Sequence, residues 1–233
     1  MGRKIIRVWA LMRSGHHAIL RWMFYNMSTT KIFFNNCHGS RGFHYVDVNS
    51  FSDSRKKFDL KKLKEFENIL INFEHPNLKN WTTKDWGGLR KLGQPIDVIV
   101  LRDPFNWAAS SMSKKTFKQH VEIDMNLWKQ HASEFIEAKH IPNGIPVGFN
   151  QWFSSHEYRE EVASKLSISN NETLINKLAT RSSFDGRDFK DNAQNMKVLD
   201  RWQQFKNNER FLSYVDRKDI RDLSQKIFEF DPL

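Results

Sequence analysis

Along most of the chain, short apolar runs alternate with apolar positions at helical spacing, the pattern of a mostly parallel sheet flanked by helices. Ile5-Ile-Arg-Val-Trp-Ala-Leu-Met12 reads as a strand, and Arg13-Ser-Gly15 turns out of it. From His16 to Met27 the residues Ile19, Leu20, Met23, Phe24 and Met27 recur at the period of a helix. Lys31-Ile-Phe-Phe34 predicts a second strand, whereas residues 36–58, rich in Asn, Ser, Gly and His, show no period and read as a long loop. Asn68-Ile-Leu-Ile-Asn-Phe73 predicts a third strand that ends at Glu74-His75-Pro76. Asp97-Val-Ile-Val-Leu101, β-branched and bounded by Pro95 and Pro104, is the clearest buried strand. Beyond it the pattern predicts helices near 105–116 and 121–139, a strand over 145–149 and a helix over 155–166. A short helix near 171–179, an irregular stretch over 180–197 and helices near 198–207 and 217–228 complete the chain, the last capped by Asp216 and Asp219. The expected fold class is α/β, three layers around a central, mostly parallel sheet.

Composition narrows the picture. The 233 residues carry no internal repeat and no Pro/Gly/Ser-rich boundary, so one domain over 1–233 is expected. With 19 Phe, 8 Trp and 4 Tyr there is bulk for a large core. The net charge of +10 points to an anionic partner: a phosphorylated cofactor, an acidic substrate, nucleic acid or a membrane surface. A lone cysteine, Cys37, forms no internal disulfide, and no run approaches the roughly 20 apolar residues of a membrane helix. The first residues, broken by Arg7 and Arg13, lack a cleavage-site pattern, and Ile6 stands where myristoylation needs Ser or Thr. These features predict a soluble, cytoplasmic protein.

Chemistry concentrates in two places. The first strand passes through Arg13-Ser14-Gly15-His16-His17 directly into a helix. Such a turn aims backbone N–H groups and the positive helix end at one spot, which suits phosphate. Gly15 allows close backbone approach, Ser14 adds a hydroxyl and Arg13 a fixed charge. His16 stands where a Walker A lysine would be, which disfavours an ordinary ATP or GTP site. The second place is Arg102-Asp-Pro-Phe-Asn-Trp-Ala-Ala-Ser110, where Arg102 follows a buried strand at the end of the sheet that binds ligands. Ser110 lies two turns into the next helix, placed to share a second phosphate with Arg102. An ion pair between Arg102 and Asp103, with Ser110 bonded inside its helix, is the competing reading.

The two motifs together resemble the sulfotransferases that use 3′-phosphoadenosine-5′-phosphosulfate. In that family a turn of the form [KR]-S-G-[TS]-T holds the 5′-phosphosulfate, and R-[ND]-P with a Ser eight residues after the Arg binds the 3′-phosphate. Further segments are similar in order: Asn68-Ile-Leu-Ile-Asn-Phe-Glu-His75-Pro to the strand bearing the catalytic base; Val147-Gly-Phe-Asn-Gln-Trp with Glu161-Val-Ala-Ser-Lys-Leu166 to the Y-E-x-L region; Thr180-Arg-Ser-Ser-Phe184 and Asn192 to the adenine-contacting T-S-F…N; and Val198-Leu-Asp-Arg-Trp202 through Phe211 to the G-D-W…N-E-x-F end. The resemblance spans most of residues 4–211 and implies a P-loop-like fold. It also implies that Arg13, Ser14, Gly15, His16, His17, Arg102, Ser110, Ser183 and Phe184 bind the cofactor. His16-His17 replace the usual Thr pair, and Asn195-Met196-Lys197 stands where R-K-G would complete the 3′-phosphate site. Lys197 and Arg201 are the candidates to replace it.

The implied reaction passes a sulfuryl group in line to a hydroxyl or amine of a small-molecule or carbohydrate acceptor, with 3′,5′-ADP as product. Arg13 would stabilise the leaving phosphate, and Glu74 or His75 would take the acceptor proton. His75 suits that role at an ordinary imidazole pKa near 6.5, whereas Glu74 needs burial to raise its own. Side chains alternate along a strand, so only one of the two is expected to face the cofactor. No metal is expected, since Cys37, His38 and His44 lack a second Cys pair or an H-E-x-x-H. The alternatives are a nucleotide kinase, weakened by the missing G-K-[ST], and a non-catalytic basic module for nucleic acid or phosphorylated partners, which the two motifs disfavour. The lysines 56, 57, 61, 62 and 64 read as a solvated helix face that can also attract an acidic acceptor; Trp81, Trp86 and Trp107 read as core, with Trp81 and Trp86, in a polar loop after His75, as stacking surfaces if exposed.

Overall fold

A computed structural model describes residues 3–27, 30–35, 37, 44–47, 52–74, 76, 78, 91–112, 121–171 and 197–233. Strand β1 (Lys4–Ala10) leads into helix α1 (His16–Asn26), followed by β2 (Lys31–Phe34), β3 (His44–Asp47), β4 (Ser52–Lys57), β5 (Asn68–Glu74) and β6 (Ile96–Leu101). Helices α2 (Pro104–Met112) and α3 (Val121–Glu137), strand β7 (Ile145–Gly148) and helices α4 (Phe149–Ser154), α5 (His156–Leu166), α6 (Glu209–Val215) and α7 (Lys218–Phe228) follow. The seven strands lie in the order β4-β3-β2-β5-β1-β6-β7, with β2, β5, β1, β6 and β7 mutually parallel. The chain is an α/β fold of the expected class.

Strand β1 is apolar on both faces because helices cover both sides of a parallel sheet. Ile6, Val8 and Ala10 pack with Ile19, Leu20 and Met23 of α1, while Ile5 and Trp9 pack with Phe34, Phe73 and Ile99. Trp9 stacks on Phe73 with ring centroids 4.4 Å apart. A third apolar cluster joins Phe105 and Trp107 of α2 to Trp128 of α3 and Phe228 of α7. The chain leaves β1 for β2 on one side of the sheet and reaches β6 on the other, so the order reverses around β1. Ala10 pairs with Glu74 and with Val100, which brings the carboxyl ends of β5, β1 and β6 side by side at that reversal.

Several local expectations change. The region read as a long loop contains the antiparallel pair β3–β4, in which His44 pairs with Lys57 and Asp47 with Ser52. Lys56 and Lys57 lie in β4, and the exposed Lys61, Lys62 and Lys64 lie on a 3-10 turn, Leu60–Glu65, so these lysines do not share one helix face. Helix α4 starts directly after β7, and α6 occupies a segment without a predicted element. The helix expected near 198–207 is a 3-10 turn, Arg201–Gln204. Arg217 precedes α7 without a side-chain cap; Asp219 instead pairs with Lys129 at 2.6 Å and Asp216 with Arg221 at 3.1 Å. Trp107 is buried core, and no described helix is long and apolar enough to cross a membrane. The helix expected near 171–179, apart from Asn171, and residues Trp81, Trp86 and His38 lie outside the described residues.

Candidate functional site

The turn after β1 is wound tightly. Ser14 N donates to Leu11 O at 3.2 Å, and both Arg13 (φ 68°) and Gly15 (φ 81°) adopt left-handed backbone. A Cβ on Gly15 would stand 2.2 Å from Cε2 of Phe149, so only glycine fits both the conformation and the space. Gly15 caps α1 without a side-chain bond, and the first turn carries no acidic residue. The helix start therefore offers N–H donors and the positive end of the helix dipole, with the buried Ser14 at its edge.

Across the sheet end, Asp103 caps α2: its Oδ1 accepts from Asn106 N at 2.8 Å, with Pro104 at the first helical position. Asn106 and Asn150 side chains also donate to this carboxylate, at 3.1 and 2.9 Å to Oδ2. Burial pushes the Asp103 carboxyl up, against the charge of Arg102 and these amide bonds. Arg102 is buried, with its guanidinium 5.1 Å from the Phe149 ring centroid and its carbonyl accepting from the Trp128 indole at 2.9 Å. Its Nη1 donates to Arg13 O at 3.4 Å and its Nη2 to Val198 O, while Nε has no hydrogen-bond partner among the described residues. Burial lowers its pKa to about 10; Asp103 opposes the shift, and the charges of Arg201 and Arg13 reinforce it. Arg201 reaches in from the 3-10 turn to donate to Ser110 Oγ at 3.0 Å, and burial and then Arg13 lower its pKa too. Three mutually repelling guanidiniums thus converge where one carboxylate is already engaged by amides. A polyanion placed among them would relieve that repulsion.

A second cluster lies at the end of β5. Glu74 Oε1 accepts from His16 Nε2 and His17 Nε2, each at 3.0 Å, and from Asn72 Nδ2 at 3.3 Å. Asn72 and Glu74 share one face of the strand, opposite the apolar Phe73 that stacks on Trp9. Asn72 Nδ2 also donates to Asn35 Oδ1 at 2.8 Å, and Ser14 Oγ lies 3.2 Å from His16 Nδ1. The two imidazoles tilt against one another with centroids 4.1 Å apart. Burial pushes the Glu74 carboxyl up, but the hydrogen bonds and charges of both imidazoles outweigh it and hold the group well below the usual carboxylate value, the opposite of the raised pKa that a Glu74 base was expected to need.

Of the residues singled out in the sequence, Arg13, Ser14, Gly15, Arg102, Ser110 and Arg201 meet around the two turns, and His16, His17 and Glu74 meet beside them. Lys197 is exposed, and His75, Ser183 and Phe184 lie outside the described residues. The chain just past His75 is held from α3, where the buried His131 bonds Pro76 O through Nε2 at 3.1 Å. Phe149, Asn72, Asn35 and Asn150 escaped the sequence reading. A polar residue at the carboxyl end of an apolar strand, as at Asn72, is a signal by which one of them could have been found.

No protein-family model and no curated protein sequence matches the chain. Among solved structures, the sulfotransferase domain of the Synechococcus olefin synthase aligns over 100% of this chain and 98% of its own, with TM-score 0.53 and 10% identity. The mouse sulfotransferase SULT7A1 complexed with PAP aligns over 96% of this chain and 89% of its own, with TM-score 0.47 and 12% identity. The fold is sulfotransferase-like.

Proposed function

We propose that this protein is a sulfotransferase that uses 3′-phosphoadenosine-5′-phosphosulfate to modify a hydroxyl or amine. The observation that carries the reading is the pair of anion-seeking turns at one end of the sheet, one around Gly15 and one around Arg102. A nucleotide with anionic groups at both its 5′ and 3′ positions needs such a pair. The residues fit that group: the buried Nε of Arg102 lacks a partner among the described residues, and the start of α1 has no side-chain cap. Arg102, Ser110 and Arg201 would hold the 3′-phosphate, and Arg13, Ser14 and the first N–H groups of α1 the phosphosulfate. When bound, the cofactor supplies the sulfuryl group and departs as 3′,5′-ADP.

Arg13 and the helix start stabilise negative charge on the leaving phosphate side, where a fixed dipole acts without reorganisation. Glu74 is the proton acceptor of this proposal. Its Oε1 is anchored by two imidazoles and an amide, and Oε2 accepts none of these bonds. The lowered pKa keeps the carboxylate ionised throughout the neutral range but makes it a weaker base than an ordinary Glu, so it takes the proton only as the acceptor atom bonds to sulfur. His16 and His17 serve by orienting it.

Thermal stabilisation tests the reading. 3′,5′-ADP at a hundred times its Kd should stabilise the fold by about 2.7 kcal/mol, and ATP with Mg²⁺ should leave it unchanged. Transfer of labelled sulfate to members of an acceptor panel then identifies the substrate. Stabilisation by ATP with Mg²⁺ alone would favour a kinase, and stabilisation by oligonucleotides alone a nucleic-acid module.

A further inference from the structure

The cluster at the end of β5 has a composition that anion binding does not explain. Two imidazole nitrogens and a carboxylate oxygen converge, and the three atoms lie within 4.8 Å of one another. We propose that His16, His17 and Glu74 bind one divalent transition-metal ion of the zinc class, with coordination positions left open to small ligands. The inference gives a further role to the Glu74, His16 and His17 that the cofactor reading uses for proton transfer, and it does not involve the Arg102 cluster that would hold the 3′-phosphate.

Ligand type comes first. Two histidines and one carboxylate are a recurring three-residue set for Zn²⁺ and similar ions in sites that keep an open position. Imidazole nitrogen selects against Mg²⁺ and Ca²⁺, which take oxygen. Spacing agrees. An ion about 2.0–2.2 Å from each ligand separates the ligand atoms by roughly 3–4 Å. Both Nε2-to-Oε1 distances are already 3.0 Å.

The surroundings are those of a supported ligand set. Ser14 Oγ meets Nδ1 of His16, the ring nitrogen away from Glu74, at 3.2 Å, which fixes the ring and directs Nε2 inward. Asn72 braces Glu74 Oε1 through its amide nitrogen and is itself braced by Asn35. The oxygen of that same Asn72 amide is buried and has no hydrogen-bond partner among the described residues. Exposure is graded as well: the His16 side chain is 1% exposed and that of Glu74 9%, but that of His17 is 21% exposed, leaving a way in from solvent.

The test uses the full chain, stripped with chelator and free of nucleotide, and titrated with Co²⁺ as a spectroscopic probe and then with Zn²⁺. The expected result is visible ligand-field absorption that saturates at one equivalent and is displaced by Zn²⁺, with no effect of Mg²⁺. His17→Asn and Glu74→Gln should each weaken Zn²⁺ at least roughly tenfold, and Asn72→Ala should weaken it measurably. His156→Asn, at an exposed histidine paired with Glu160, should change nothing. Circular dichroism checks that each variant is folded; should Glu74→Gln unfold, His17→Asn at the more exposed position carries the test. Absence of stoichiometric binding to the parent chain, or equal Zn²⁺ affinity in the parent and His17→Asn, overturns the proposal. The affinity for 3′,5′-ADP is measured separately, so failure here leaves the sulfotransferase reading to its own experiment.

Discussion

Removing the charge of Arg201 while keeping most of its length, as in Arg201→Met, separates an anion site from an ordinary structural arginine. In the free protein Arg201 donates to Ser110 Oγ at 3.0 Å and is repelled by Arg13 and Arg102. Losing that bond costs about 0.5–1.5 kcal/mol. Relief of the repulsion acts the other way, and Met keeps the apolar stem packed. The two effects oppose, so the free variant should unfold within about 1 kcal/mol of the parent. Binding should respond differently. A charge-assisted hydrogen bond to phosphate contributes ~1.5–3 kcal/mol, so 3′,5′-ADP should bind roughly ten- to a hundredfold more weakly. The affinity for 5′-AMP, which lacks the 3′-phosphate, should hardly move. Calorimetric titration with both nucleotides, beside a urea melt, reads all three quantities. Unchanged 3′,5′-ADP affinity would refute the placement of the 3′-phosphate at Ser110. A large loss of stability in the free protein would refute the charge-repulsion argument.

Gly15→Ala should destabilise by roughly 2–4 kcal/mol and abolish nucleotide binding, since the new Cβ meets both a positive φ and the Phe149 ring at 2.2 Å; a melt within 1 kcal/mol of the parent would show that the turn can relax. Asp103→Ala removes the α2 cap, takes from Asn106 N and the Asn150 amide the carboxylate they donate to, and leaves the Asn106 side chain its bond to Leu199 O, so a loss of about 2–4 kcal/mol is expected in urea unfolding. Glu74 has a folded pKa below its unfolded one, so its contribution to stability is full above the ordinary carboxylate value and is lost as pH falls through the folded value. Acid unfolding of Glu74→Gln should therefore lack part of the parent's loss of stability below about pH 4.5, and its sulfuryl transfer at neutral pH should fall on the order of a hundredfold.

Strands β1, β5 and β6 were legible because a parallel strand buried on both faces must be an apolar run, and the glycine turn was legible because Gly15 sits where that run stops. The β3–β4 pair was not: Ser52–Lys57 reads Ser-Asp-Ser-Arg-Lys-Lys, with no apolar alternation to mark a strand. Helix α6 spans seven residues, too few for a helical period to stand out. The meeting of His16 and His17 with Glu74 joins positions some 58 residues apart through the pairing of β1 with β5, which no local pattern encodes. Arg201 was visible only as one of two basic candidates. Its bond to Ser110 and the exposure of Lys197 distinguish them.

Whether the two turns form one site for a nucleotide with a 3′-phosphate is decided at Arg102. Its guanidinium is buried, carries an unpartnered Nε among the described residues and stands beside Arg13 and Arg201. The measurement is the ratio of Kd values for 5′-AMP and 3′,5′-ADP, taken by calorimetry on the parent chain and on Arg102→Ala at equal salt. The expected parent ratio is at least roughly tenfold in favour of 3′,5′-ADP, collapsing toward one in the variant while 5′-AMP affinity is kept. A parent chain that binds the two nucleotides equally, or a variant that keeps the full preference, would contradict it.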